Sequence, residues 1–203
     1  MADPLKAKII SRKVEFKGWR SLETIVLQPK SLRSAGWTEP MQREIYYCGK
    51  VVVGLLYLPE TDQILLNEQF RVGVLMSGDD HPWLYECCAG MVDEGEEPET
   101  ALKREALEET GSEILEMEFI GKAYSSPGSS DESFLLYCAR IGKAEAGHYG
   151  LEEEAEEIKT HLLSADEAIR MLDDGRISNA SAMICLHWFA RHRDRLRQKW
   201  GVK

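Results

Sequence analysis

The sequence lacks the features that mark several large classes of protein. No two of its five cysteines, Cys48, Cys87, Cys88, Cys138 and Cys185, form a CxxC pair, and its five histidines are scattered without ligand spacing. That speaks against a zinc site, and an odd cysteine count in a chain of 203 residues does not fit a disulfide scaffold. The thiols are expected to be reduced and mostly buried. Long apolar runs are missing too. The longest, VVVGLLYL from Val51 to Leu58, falls far short of the roughly 20 residues of a membrane span, and the start, MADPLKAKIISRKVEFKG, is broken by Lys and Arg. The expectation is a cytoplasmic protein with no membrane partner. Basic residues are outnumbered, 25 Lys and Arg against 35 Asp and Glu, and the net charge of −10 argues against nucleic acid, whose phosphates select basic surfaces.

What remains is ordinary for a globular protein: 43% hydrophobic and 30% charged residues, without repeats or low-complexity tracts. The length suits one generous domain, or a catalytic domain with a small appendage. Two β-rich segments, near Ala7 to Phe16 and Ser21 to Leu27, are joined by the turn-prone KGWR. The polar stretch Ser31 to Pro40 then reads as a connection. We therefore expect an N-terminal β-unit over residues 1–40 and a main domain over 41–203. In the main domain, Val51 to Leu58 and ILLNEQFRV form a hairpin with Arg71 near its far end, and a short strand, WLYECC, follows. Pro98 and Gly111 punctuate a helix from about Pro98 to Thr110. Further strands are expected at 114–122, 134–141 and 158–163. Ser164 and Glu167 form a capping box that opens a helix ended by Gly175, and an amphipathic helix runs from about Asn179 to Lys199, its basic end read as a solvated face with Trp200 as anchor. The class is α+β, a mixed sheet with helices packed on it.

The unusual stretch is GMVDEGEEPETALKREALEETG, Gly90 to Gly111, with eight acids against two bases. On the predicted helix, Glu105, Glu108 and Glu109 stand at i, i+3 and i+4 and share a face. Each like-charge pair at about 4 Å costs roughly 1 kcal/mol in water and about 4 kcal/mol at an effective dielectric near 20, so a partly buried cluster needs a counter-ion that one arginine cannot supply. Oxygen-only ligands favour a hard divalent cation, Mg²⁺ or Mn²⁺. A solvated acidic face is the bland alternative.

The spacing goes further than charge. Gly90, five residues, Glu96, seven residues, then Arg104-Glu105-Ala106-Leu107-Glu108-Glu109-Thr110-Gly111 resembles the Nudix box, GX5EX7REUXEEXGU with U a bulky aliphatic. All seven Gly, Glu and Arg identities are present; by chance they arise on the order of 10⁻⁸ per window, or roughly 10⁻⁵ allowing for local glutamate richness. Ser112 departs from the pattern where it asks for an aliphatic, and Ala106 is small for its U position. SSPGSSDES places Pro127 sixteen residues after Gly111. With FKGWRSLE, REIYYCG, NEQFRV, CCAGMVDEGE, YGLEEEAEEIKTHLLS and GRISNASAMICLHW, it is similar to the bacterial ADP-ribose pyrophosphatase branch, over about Phe16 to Trp188.

The resemblance implies the Nudix fold, a mixed sheet between helices, and metal-dependent hydrolysis of ADP-ribose to AMP and ribose 5-phosphate. It implies that Glu105, Glu108 and Glu109 hold the metal with the carbonyl of Ala89, and that Arg104 orients the carboxylates by pairing with Glu96 or Glu108. It further implies an acidic loop closing on the site, with Glu154 as catalytic base and Glu156 as a further metal ligand; Glu153 or Glu157 would hold the base role if the register shifts. Arg43 and Arg71 match positions that contact substrate phosphates or terminal ribose, and Glu132 matches a substrate-binding acid. Trp19 matches an aromatic that stacks on adenine from the partner of a homodimer with exchanged N-terminal units; its alternative is a core residue of the small unit. A nucleotide-sugar pyrophosphatase acting on GDP- or UDP-hexoses is the runner-up, and a non-catalytic nucleotide sensor the third reading.

Overall fold

The computed structural model describes residues 7–150 and 156–201. The chain falls into two compact units, one reaching from the N-terminal segment to Gly49 and taking in Tyr124–Ser133, the other made of Lys50–Ala123 and Phe134 onward.

The first unit is an antiparallel sheet in the order β1 (Ala7–Lys17), β2 (Ser21–Pro29), β3 (Met41–Tyr47). β3 pairs with β2 from Ser21↔Tyr47 to Leu27↔Met41, and this ladder carries the unit past residue 40. The Tyr124–Ser133 segment is tied on by Asp131, whose Oδ1 accepts the backbone N–H groups of Cys48 at 2.7 Å and Gly49 at 3.0 Å. Among the described residues, Ile25 is the unit's one buried apolar side chain, while Ile9, Ile10, Val14 and Phe16 of β1 are exposed. A sheet this thin cannot bury a core by itself.

The second unit is built on a mixed sheet whose main path runs β10 (His148–Tyr149), β11 (Ile158–Ser164), β5 (Gln63–Phe70), β4 (Lys50–Leu58), β9 (Ser133–Ile141), β8 (Ile114–Tyr124). The expected WLYECC strand divides at Cys87. β6 (Trp83–Glu86) pairs with β5, and β7 (Cys88–Met91) leaves it to pair with β4. A short helix, α1 (Val72–Met76), precedes β6; α2 is Pro98–Thr110, α3 Ala165–Asp173 and α4 Ala180–Lys199.

The unbroken apolar run of β4 is explained by burial on both faces. Val53, Leu55 and Tyr57 face a core with α3 and α4, where Tyr57 meets the edge of Phe189 at 4.8 Å. Val52, Leu56 and Leu58 face a second core with Leu102 and Ala106 of α2. Gly54 lies on this side, and a Cβ there would stand 2.6 Å from a Leu102 methyl, so glycine lets α2 settle close on the sheet. Ser164 caps α3 by accepting the Glu167 N–H at 3.2 Å, and Asn179 caps α4 through the Ala182 N–H at 3.0 Å. The basic end of α4, expected as a solvated face, is exposed at Arg191, Arg195 and Lys199 and is also ion-paired: Arg193 and Arg197 hold Asp62, Arg195 and Lys199 hold Glu118. Trp200 is buried and anchors it.

Candidate active site

β7 delivers the chain to the sheet's α2 face, a turn closed by Glu96 N–H on the Asp93 carbonyl follows, and Pro98 at the first helical position starts α2. Gly111 ends it in the left-handed region at φ +63°. Ser112 fits where an aliphatic was expected: it is buried, its N–H donates to the Ala106 carbonyl at 3.1 Å, and its hydroxyl donates to the Thr110 carbonyl at 3.4 Å. Gly90 is required sterically. A Cβ there would come within 1.9 Å of the Glu105 carboxyl carbon, so the missing side chain is the space that Glu105 occupies.

Arg104 gathers the box. Its guanidinium donates to Glu105 at 2.7 Å, to Glu108 at 3.3 Å, to Glu96 at 3.3 and 3.4 Å, and to the Met91 carbonyl at 3.2 Å. These contacts, the Glu96 hydrogen bond foremost, hold it well above its ordinary value. Glu109 is the buried member: its Oε2 accepts Asn67 Nδ2 at 2.8 Å and the Ala89 N–H at 3.1 Å. Burial first, then the charges of Glu105 and Glu156, push its carboxyl up to about 8 against the stabilising hydrogen bonds of Cys88 and Ala89. Glu105 is also raised, by burial and by Glu108 and Glu156, against the pull of Arg104. Glu156 accepts Gln69 Nε2 at 2.7 Å. Asn67 and Gln69 share the α2 face of β5 with Leu65, which brings Glu156 to the box glutamates across the sheet.

Arg71 begins α1 at the end of β5 and forks onto the buried Glu86 of β6, with N···O distances of 2.6, 3.0 and 3.1 Å. Asn179 Nδ2 donates to the same Glu86 at 3.0 Å. Burial opposes the Arg71 charge, but Glu86, Glu109 and Glu156 outweigh it and hold the guanidinium above its ordinary value. Glu86, Asn67 and Gln69 were absent from the sequence reading. The signal for the last two was a pair of amides at alternate positions following the apolar run Ile64–Leu66.

The structure thus brings together Ala89, Glu96, Arg104, Glu105, Glu108, Glu109, Glu156 and Arg71. Trp19, Arg43 and Glu132 belong to the first unit. Trp19 is 89% exposed, with the Arg20 guanidinium 4.3 Å above its ring. Arg43 is exposed on β3 and donates to the Gln42 carbonyl at 2.7 Å; Glu132 is half-buried, its N–H on Ser130 Oγ at 3.0 Å. Glu154, with Glu153, lies outside the described residues. Cys87 and Cys88 are buried thiols, as expected for packed core.

Among the described residues no three side chains already stand in a ligating array, since Arg104 holds Glu105 and Glu108 while Asn67 and Ala89 hold Glu109. The donor set nonetheless fits a hard cation. All the side-chain donors are oxygens, negative charge is in excess, and Glu109 is raised first by burial and then by the charges of Glu105 and Glu156.

A strand-loop-helix that gathers glutamates around one arginine defines the class, and sequence comparison agrees: the NUDIX domain matches residues 50–183, and the chain belongs to that family. Its fold is the α+β fold of that family, whose members generally need a divalent metal. Among curated relatives, the ADP-ribose pyrophosphatase of Haemophilus influenzae is 32% identical over 95% of this chain and 90% of its own. The ADP-ribose pyrophosphatase of Escherichia coli K12 is 31% identical over 96% and 92%, and the GDP-mannose pyrophosphatase of Pectobacterium atrosepticum is 31% identical over 94% and 100%. A crystal structure of an ADP compounds hydrolase aligns at TM-score 0.70 and 17% identity over 95% of this chain and 97% of that one, a likeness of fold.

Proposed function

We propose that this protein is a divalent-cation-dependent pyrophosphohydrolase that cleaves ADP-ribose to AMP and ribose 5-phosphate. The observation that carries the reading is the intact set of Glu105, Glu108 and Glu109 beside Arg104, in a chain similar over nearly its whole length to ADP-ribose pyrophosphatases. Mg²⁺, with Mn²⁺ as substitute, would be held by Glu105, Glu108, Glu109 and Glu156 and by the Ala89 carbonyl. The cation supplies charge neutralisation and polarises the phosphorus–oxygen bonds of an otherwise repelled pyrophosphate. Arg104 restrains the carboxylates and Gly90 leaves room for Glu105. Glu154 takes the proton of the attacking water as a new P–O bond forms and the bridging P–O bond breaks, the bridge oxygen leaving with the other phosphate. Arg71, close enough to Glu109 and Glu156 to feel their charge, and Arg43 engage the substrate phosphates or ribose; Glu132 accepts from substrate hydroxyls.

The exposed indole of Trp19 suits stacking on adenine. It would be supplied across a homodimer with exchanged N-terminal units, a reading supported by the uncovered apolar side chains of β1 and by Ile25 as the unit's one buried apolar residue among those described. The main catalytic domain follows the β-unit. Five free cysteines support the cytoplasm as its location. A GDP- or UDP-hexose substrate is the second reading, favoured by the 31% identity to a GDP-mannose pyrophosphatase.

The test is phosphate release in a phosphatase-coupled assay with Mg²⁺, comparing ADP-ribose, GDP-mannose, UDP-glucose and diadenosine polyphosphates. Preference for ADP-ribose supports the first reading, and preference for a hexose nucleotide replaces the substrate while keeping the chemistry. Silence on every compound, with ADP-ribose still bound, means a sensor.

A further inference from the structure

Asn67 stands in the middle of β5, only 3% exposed, between Leu66 and Glu68 and on the same face as Leu65. A carboxamide in such a place must satisfy both ends, because an unpaired buried polar atom costs about 1–3 kcal/mol. Its Nδ2 is accounted for by Glu109 Oε2 at 2.8 Å. Its Oδ1 is buried and has no hydrogen-bond partner among the described residues. Glu109 Oε2 meanwhile takes two N–H donors, from Asn67 and from Ala89, and the Cys88 thiol also hydrogen-bonds the carboxyl; among the described residues Oε1 carries no N–H donor and is the oxygen to offer a cation.

We propose that Asn67 is a positioning residue of the cation site: Nδ2 fixes which oxygen Glu109 presents, and Oδ1 accepts a hydrogen bond from a water in that site. The inference rests on the cation reading given above. The amide performs two duties at once, and an apolar residue of equal size performs neither. Outer partners of metal ligands commonly set affinity by 10–100-fold, and Asn67 has the geometry of such a partner.

The test is Mn²⁺ binding to the full-length protein, read by electron paramagnetic resonance, together with melting in chelator and in saturating Mn²⁺. Asn67→Leu keeps the volume and removes both polar ends. It is expected to weaken Mn²⁺ about 10–100-fold, to melt in chelator no lower than wild type, and to lose much of the Mn²⁺-dependent rise in melting temperature. Asn67→Ala, which admits water in place of the amide, is expected to weaken Mn²⁺ by a smaller factor, and it decides the matter if the Leu variant does not fold. A variant that melts lower in chelator yet binds Mn²⁺ within about twofold of wild type, a difference under about 0.4 kcal/mol, makes Asn67 structural and overturns the proposal. Wild-type protein that binds no Mn²⁺ overturns the cation site itself, a separate failure from unchanged binding in the variants.

Discussion

Two charge clusters in the second unit are built from the same residue types and reach opposite states. At the end of α4, Glu118 is shared by Arg195 and Lys199, and Asp62 by Arg193 and Arg197. There bases equal or exceed acids, and Glu118 is pulled down to about 2, the Arg195 hydrogen bond leading. At α2, Arg104 alone serves Glu96, Glu105 and Glu108, and Glu109 is pushed up to about 8. A fold that needs only to hold its last helix balances its charges locally. One that leaves carboxylates repelling each other in a half-buried place has an unmet demand for a cation.

Replacing Glu108 with Gln should have the largest effect. Turnover with Mg²⁺ should fall on the order of 10³-fold, the worth of several kcal/mol of transition-state charge stabilisation, with the circular dichroism spectrum unchanged. Wild-type turnover would move the α2 cluster into the same category as the α4 cluster. Gly90→Ala should cost about 10²-fold in turnover by displacing Glu105, with the Michaelis constant and Mn²⁺ affinity as companion readouts.

The two clusters also give opposite slopes of stability against pH. Glu109 binds its proton more tightly folded than unfolded, so metal-free protein should lose stability as pH rises from 4.5 towards about 8, by up to about 5 kcal/mol in urea unfolding. The loss should shrink in Glu109→Gln, leaving the smaller share of the raised Glu105, and shrink with saturating Mg²⁺. Glu118 works the other way: its contribution is full above 4.5 and is lost as pH falls towards about 2. The smallest effect belongs to Arg195→Ala, which removes one partner of a surface pair and should cost less than about 1 kcal/mol while leaving turnover unaltered.

The bounds of α2 were legible because Pro98 and Gly111 act through backbone geometry that needs no partner. The box glutamates were legible because helical spacing fixes their common face. Less could be read where partners lie far apart in the chain. The Arg71–Glu86–Asn179 link depends on β6 pairing with β5 while β7 pairs with β4, and WLYECC carries no residue that announces the break at Cys87. The role of Asn67 depended on the register that puts β5 beneath α2. The ion pairs at the exposed basic end of α4 were not legible because its acids, Asp62 and Glu118, come from a hairpin turn and a distant strand.

The cysteines bear on how the molecule can be handled. Cys87, Cys88, Cys138 and Cys185 are buried, and burial raises the first three thiols, with Cys185 as the leading influence on Cys87. Cys48, at the end of β3, is the partly accessible one of the five. A native molecule therefore offers alkylating reagents a single handle, in the small β-unit, well suited to carrying a fluorophore or spin label. The other four become reactive only when the larger unit opens, so the number of thiols modified is itself a clock for unfolding.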